Sequence, residues 1–407
     1  MIFSREFRVR TVAASLLVAT LGVMALAGCQ GGGKAVLKVG EYGSMTGGQA
    51  NFGISTHEGI QQAVDEQNAA GGIAGIPVEV TKYDDQSKAE EAQTAVQKLV
   101  NQDGVISVLG EVASSNSLAG GPVCQRAGVP MISPSSTNER VTKVGDFIFR
   151  VCFIDPFQGN VMAKFARENL KLSNVAILKD LKSDYSVGLT DVFAKSFAAA
   201  GGKIAVIQTF SKDDQDFRAQ LTSIKATNPD GIFIPAYYTE VGLIARQARE
   251  QGITAPLFGT DGWESSKLTE IGGKALDGCY FSTHQSMDNP DPLVQNFVKG
   301  YEAKWGKKPD ALAALGYDSA KLLMSCITEL AKQDPEGFKA LHGNATPVNR
   351  EARKAAQKKL RDLIAATKDF AGVTGKISLD ADRNAVKSAV VLKIKDSAFS
   401  FATSIQP

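Results

Sequence analysis

Residues 105–138 read VISVLGEVASSNSLAGGPVCQRAGVPMISPSSTN. A short apolar run, Val105–Leu109, gives way to a polar loop. A helix-period segment, Ser117–Ala127, follows and ends at Gly128. A second apolar run, Val129–Ile132, then leads into a second polar loop. Short β-rich runs alternating with helices are the signature of a parallel α/β sheet. A glycine directly after a helix supplies the left-handed residue on which helices commonly end, as Gly128 does here, and as Gly71-Gly72 and Gly252 do elsewhere.

The same rhythm extends in both directions. Upstream, the pattern predicts a strand at Val36–Glu41 and a helix at His57–Asn68 with Ile60, Ala63, Val64 and Gln67 on one face. A strand at Val78–Tyr83 and a helix at Ala89–Gln102, with Ala92, Val96 and Leu99 inward, complete this first block. A second block runs through helix Gly159–Leu170, strand Val175–Leu178, helix Val187–Ala200, strand Ile204–Thr209, helix Phe217–Thr227, strand Ile232–Pro235, helix Val241–Gln251 and strand Leu257–Gly259. Beyond it lie a strand at Cys279–Ser282, helices at Leu293–Trp305 and Ala313–Leu330, a charged helix at Arg350–Ala366 with a solvated face, and a strand at Ala389–Lys395. The two blocks share architecture and no obvious sequence repeat.

The first residues belong to targeting. Arg5, Arg8 and Arg10 precede an apolar run from Val12 to Leu26, which at about fifteen residues is shorter than the roughly 20 a membrane-spanning helix needs. The sequence Leu26-Ala27-Gly28-Cys29, followed by Gln30-Gly31-Gly32-Gly33, resembles a bacterial lipobox and its tether. The expectation is therefore a lipoprotein signal peptide over residues 1–28, lipidation of Cys29, and a flexible tether over residues 29–35. By resemblance to Gram-negative lipoproteins, the non-acidic Gln30 points to the outer membrane. The signal also accounts for the net charge of +2: residues 1–28 hold three arginines and one glutamate, so the remainder is formally neutral. Without a basic stripe the electrostatic footprint of a nucleic-acid binder is missing. Residues 29–407 exceed what one core usually serves, so two domains are expected.

Catalytic signatures are sparse. The chain has no Gly-x-Ser-x-Gly elbow, phosphate loop or dinucleotide fingerprint. His57, His284 and His342 are isolated in sequence, so no metal site and no cofactor are expected. Asp84-Asp85 and Asp213-Asp214 fit turns and helix caps better than acid/base chemistry. Cys124, Cys152, Cys279 and Cys326 sit in apolar segments and read as buried thiols, with one disulfide pair as the alternative.

Ligands of open α/β sheets bind beyond the carboxyl ends of strands, and the two loops of the opening stretch lie there. Gly110–Ser117 and Ser133–Asn138 are crowded with short hydroxyls. Hydroxyls and free N–H groups at helix starts suit a carboxylate. The alternative is that each Ser or Thr caps its own helix, but two such loops in one block favour binding.

Several motifs resemble the type I periplasmic binding proteins, and within them the branched-chain amino-acid binding proteins of ABC transporters. They are Gly43-Ser44-Met45-Thr46-Gly47 leading to Phe52-Gly53, Ala69-Ala70-Gly71-Gly72-Ile73, Gly128–Asn138, Asp184-Tyr185-Ser186-Val187-Gly188, Tyr237–Gly242 and Gly259-Thr260-Asp261-Gly262. The resemblance covers nearly all of Val36–Lys395. It implies two doubly wound parallel-sheet lobes joined by three hinge crossings near Asp155, Gln285 and Val386. The N-terminal lobe would hold residues 36–155 plus 286–386, and the C-terminal lobe residues 156–285 plus 387–407. It further implies that Ser114 and Thr137, with main chain around Ser135 and Ser136, hold a ligand carboxylate. Tyr185, Tyr237 and Asp261 would face it, with Asp261 taking the ammonium, and Phe52 would line the side-chain pocket. Trp263 joins that pocket on chemistry alone. Relatives often carry Glu at the position of Asp261 and an aromatic near Leu312. The implied protein is no enzyme but a monomeric periplasmic lipoprotein that captures an amino acid for an ABC permease. A binding protein or sensor for another small carboxylate or amide, and a hydrolase such as an amidase, are the other readings.

Overall fold

The computed structural model describes residues 35–342 and 349–406. The signal peptide, Cys29 and all but the last residue of the tether lie outside these. A first sheet is built from β1 (Leu37–Gly43), β2 (Val78–Asp84), β3 (Ser107–Leu109), β4 (Met131–Ser133) and β5 (Ile148–Arg150), alternating with α1 (Ala50–Ala69), α2 (Ala89–Lys98), α3 (Ser114–Ala127) and the short α4 (Arg140–Lys143). Its order is β2-β1-β3-β4-β5, with every pairing parallel. Ile60, Ala63 and Val64 of α1 cover one face together with Leu37, Val39, Leu109 and Ile132. Ala92, Val96, Val123 and Cys124 of α2 and α3 cover the other with Val108 and Met131.

The chain then enters a second sheet through α5 (Asp155–Glu168). Here β6 (Asn174–Asp180), β7 (Lys203–Phe210), β8 (Gly231–Ile234), β9 (Leu257–Gly259) and β10 (Tyr280–Thr283) alternate with α6 (Asp184–Ala199), α7 (Arg218–Ala226), α8 (Tyr238–Glu250) and α9 (Ser266–Gly272). A strand covered on both faces reads as a continuous apolar run, and Val175–Leu178 shows the division: Val175 and Ile177 pack with Phe165, Phe193 and Phe233, whereas Ala176 and Leu178 belong to the core with Leu221, Ile224 and Val241.

After β10 the chain returns to the first sheet with α10 (Pro292–Trp305) and α11 (Ala311–Gln333), the latter packing along α1. Next come α12 (Pro335–His342), α13 (Arg350–Ala365) and the hairpin β11 (Phe370–Gly372) and β12 (Gly375–Ile377). The third crossing leads to β13 (Ala389–Lys395) and β14 (Ala398–Ile405), which add antiparallel strands to give the order β14-β13-β10-β9-β8-β6-β7. The fold is thus α/β with two doubly wound lobes. The four cysteines beyond Cys29 are free thiols, and Cys124, Cys152 and Cys279 are buried. No helix among the described residues is long and apolar enough to cross a membrane.

Candidate functional site

Strand order fixes where the site lies. In the first sheet the chain reverses direction of travel between β1 and β3, and in the second between β6 and β8. At such switch points the loops after adjacent strands diverge and leave a crevice at the carboxyl ends. The segments after those strands supply Phe52 in the first turn of α1, Val112 after β3, Ser135 after β4, Tyr185 in the first turn of α6, Tyr237 after β8, and Asp261 with Gly262 after β9. Together with Leu312 of α11 they line a small cavity between the two sheets.

One wall carries a carboxylate. Asp261 Oδ1 accepts from Tyr185 Oη at 2.6 Å and from Gln158 Nε2 at 2.8 Å, and Oδ2 lies 3.0 Å from His284 Nε2. Tyr185 Oη also sits 2.7 Å from Thr260 Oγ1 and accepts from Gly262 N at 2.9 Å. Burial, and after it the Asp261 charge, push the Tyr185 phenol well above its ordinary value, so it stays a donor. Its ring stacks on Tyr237 at 5.1 Å, and Tyr237 meets Phe52 edge-on at 5.5 Å. The aromatic residues thus form one continuous surface.

The facing wall is the hydroxyl-rich one, and Ser135 is its lining member. Behind it, Glu111 ties the loops together by accepting from Ser44 N at 3.1 Å, from Ser44 Oγ and from Ala113 N. Burial and then the Asp85 charge push the Glu111 carboxyl well above its ordinary range. Asp84 and Asp85 do what turn residues do: Asp84 Oδ1 accepts from Met45 N at 2.9 Å and Gln86 N at 2.8 Å, and Asp85 Oδ1 from Ser87 N at 3.0 Å.

Five residues expected at the site from sequence, Phe52, Ser135, Tyr185, Tyr237 and Asp261, line the cavity. Ser114 and Thr137 are buried beside it without lining it: Ser114 Oγ accepts from Asn138 N at 3.2 Å, and Thr137 Oγ1 has no hydrogen-bond partner among the described residues. Two expectations need correction. Ser136 is committed to the loops, with its N–H on Ser133 Oγ, its carbonyl on Arg150, and its hydroxyl 2.7 Å from Ser117 Oγ and 2.8 Å from Glu111 O. Trp263 belongs to the second lobe's core, fully buried, with Nε1 donating to Ile234 O at 2.8 Å, because the turn after Asp261 swings its side chain under the sheet. Sequence spacing passed over Gln158 and His284. His284 looked isolated, yet its place directly after β10, at a strand's carboxyl end, was the available signal.

Hydrogen bonds also join the rims. Thr239 Oγ1 donates to Gly48 O at 2.6 Å, Asn51 N to Tyr238 Oη at 3.1 Å, Asn138 Nδ2 to Asp184 O at 2.8 Å, and Ser115 Oγ to Asp184 Oδ2 at 2.8 Å. The cleft is therefore in its closed form.

Two doubly wound lobes meeting over a small cavity, with a hydroxyl on one wall and a carboxylate set in aromatic rings on the other, define a solute-binding protein of the cleft type. Residues 36–398 match the family model described as periplasmic binding protein, and the chain belongs to that family. It is 31% identical over 302 residues, 74% of this chain and 80% of the relative, to the leucine-, isoleucine-, valine-, threonine- and alanine-binding protein of Pseudomonas aeruginosa. Among solved structures it resembles the leucine binding protein LivK of Thermotoga maritima, with 38% identity, a TM-score of 0.83, and coverage of 91% of this chain and 99% of that one. It likewise resembles the branched-chain amino acid transporter substrate binding protein LivJ of Streptococcus pneumoniae in complex with isoleucine, with 33% identity, a TM-score of 0.81, and coverage of 91% and 100%.

Proposed function

We propose that this protein captures a small aliphatic amino acid, branched-chain in the first instance, and delivers it to an ABC permease without chemistry. The polarity of the cavity carries this reading. Ser135 stands on one wall, with unspent hydrogen-bonding capacity on Thr137 Oγ1 and Ser114 Oγ behind it, and Asp261 stands on the other. A carboxylate suits the first and an ammonium the second. Phe52, Val112 and Leu312 are left for an apolar side chain. Isothermal titration across the amino acids, run beside an ammonia-release assay on their amides, tests it. Saturable binding of leucine, isoleucine or valine without turnover is expected. Preference for a carboxylate lacking the amino group favours the other-carboxylate reading, and amide turnover favours the hydrolase.

The remaining proposals concern setting. The lobes, residues 36–155 plus 286–386 and residues 156–285 plus 387–407, move as bodies about the three crossings. The protein acts as a monomer, held at a membrane surface, the outer one in a Gram-negative cell, by acyl chains on Cys29, since two or more chains are needed for stable anchoring. Cys29→Ser should leave unlipidated precursor, seen as a changed mass and altered membrane fractionation; unchanged mass and fractionation count against the anchor.

A further inference from the structure

His284 follows β10 at the second crossing, and its ring is buried. It stacks on Phe153 of the first crossing, with centroids 4.0 Å apart and planes at 26°. Nε2 lies 3.0 Å from Asp261 Oδ2 and 3.3 Å from Ser135 Oγ. Nδ1 is buried with no hydrogen-bond partner among the described residues. A carboxylate oxygen offers only lone pairs. The ring nitrogen that faces Asp261 must therefore carry the proton, and Nδ1 bears the lone pair. The same N–H reaches Ser135 Oγ, so the Ser135 hydroxyl is an acceptor toward His284 and its own proton stays free for the cavity.

We infer that His284 is a positioning residue of the amino-acid site: a neutral Nε2–H imidazole shared between Asp261 in one lobe and Ser135 in the other, which fixes both the acceptor for the ligand's ammonium and the donor for its carboxylate. This rests on the amino-acid reading above. Protonation of the ring would add a positive charge beside Asp261, where the ligand's own ammonium belongs, and a second buried N–H at Nδ1. Ligand binding and proton uptake by His284 oppose each other. By linkage, affinity falls on acidification through the range in which the free protein's His284 gains its proton, by at most about tenfold per pH unit for one site.

The neighbouring charges agree with this sign. Burial holds the imidazole below its ordinary value, against the pull of Asp261, and Lys387 of the third crossing pushes the same way as burial. On the first crossing, burial pushes Asp155 up to about 8 and the Cys152 thiol up to about 12, so neither contributes a negative charge at neutral pH that would favour the imidazolium. Arg150 adds a fixed positive charge beside both.

The test pairs ring ¹⁵N spectra of histidine-labelled protein, which has three histidines to resolve, with isothermal titration of isoleucine from about pH 7.5 to about pH 5. The expected His284 signal is the Nε2–H tautomer, titrating on the acid side and displaced to still lower pH by isoleucine. His284→Leu should bind roughly tenfold or more weakly throughout, having lost a donor to a carboxylate. His284→Gln should lose less, because its amide restores a donor, and should lack the acid-side loss. Binding that fails in the wild type at neutral pH overturns the amino-acid reading and this inference together. An Nδ1–H tautomer, a titration that isoleucine leaves unmoved, or an acid-side loss that persists in His284→Gln overturns this inference alone. The spectra decide the matter should a variant fail to fold.

Discussion

Asp261 accepts hydrogen bonds from Gln158, Tyr185 and His284. An ionised carboxylate has about four lone-pair sites, so one remains for a ligand. This crowding separates two substitutions. Asp261→Asn keeps much of the network but offers an ammonium only a neutral amide, and should weaken amino-acid binding by roughly 30-fold or more with a modest loss of stability. Asp261→Ala takes the shared carboxylate from Gln158, Tyr185 and His284, which keep only the neutral oxygens of Ser282, Thr260 and Ser135 as acceptors, and should lower the melting temperature as well. Trp263→Phe is the control: it removes the indole donor from the Ile234 carbonyl, which keeps Ala236 N as a donor at 3.0 Å, so it should cost about 0.5–1.5 kcal/mol of stability and leave affinity unchanged. Calorimetry and thermal melts on the three variants decide this, and an affinity loss in Trp263→Phe would return that ring to the pocket. Phe52, Tyr185, Tyr237 and Asp261 are implied by the resemblance to the binding-protein family, and the structure sets each of them just beyond the carboxyl end of a strand. Trp263 occupies the same loop as Asp261, but the direction of a side chain within a turn is set by backbone angles that no spacing encodes. His284 and Gln158 were missed for another reason: their partners lie 23 and 103 residues away in the chain.

At the level of elements, the alternating apolar runs made the two sheets legible, and the exceptions have local causes. Helix α1 begins at Ala50 and not at His57: Asn51, Gly53 and Ser55 look like loop residues in sequence, yet Gly53 lets the first turns of the helix pack closely against Ser44 after β1. Strand β5 is three residues long and ends in a charged residue, Arg150. Strand β14 lies at a sheet edge with mostly exposed side chains, so it lacks an apolar face to betray it. One junction between elements carries a pH dependence. Glu264, after the turn that holds Asp261, accepts from Ala311 N in the first turn of α11 at 3.2 Å and so ties the second lobe to a helix of the first. Burial, then the neighbouring Asp310, push its carboxyl up to about 8, and the Thr283 hydroxyl offsets only part of this. A carboxyl raised in the folded state binds more protons there than when unfolded, so its stabilising contribution is present at acid pH and is lost as pH rises from about 4.5 to about 8. Glu264→Gln keeps the acceptor and removes the titration. In urea unfolding it should match the wild type near pH 4.5 and exceed it near pH 8 by an amount on the order of a few kcal/mol, while Asp155 leaves a residual slope of the same sign. Parallel pH profiles for the two proteins would remove Glu264 as the source.

For the whole molecule, the question is what the closed form gains from contacts that never touch a ligand. Asp184 sits at the start of α6 on the rim, and its carboxylate takes Arg140 Nη1 at 2.7 Å and Ser115 Oγ at 2.8 Å, both from the opposite lobe. The Arg140 pair is largely exposed, and such a pair contributes only about 0.2–1 kcal/mol. The Ser115 hydrogen bond adds about 0.5–1.5 kcal/mol. Together they bias a closing equilibrium without setting it alone. A ligand enclosed by both lobes binds the closed form, so whatever shifts the empty protein toward open raises the apparent Kd by the same factor. Asp184→Ala should therefore bind isoleucine roughly 3- to 60-fold more weakly, chiefly through faster release, while a ligand-saturated sample keeps the wild-type radius of gyration. Without ligand its scattering should be the more expanded of the two proteins. Raised salt should narrow the affinity gap, because screening reaches the exposed Arg140 pair first. Equal ligand-free scattering together with weakened binding would mean that Asp184 acts on the pocket through Tyr185, its neighbour in sequence, and not through closure.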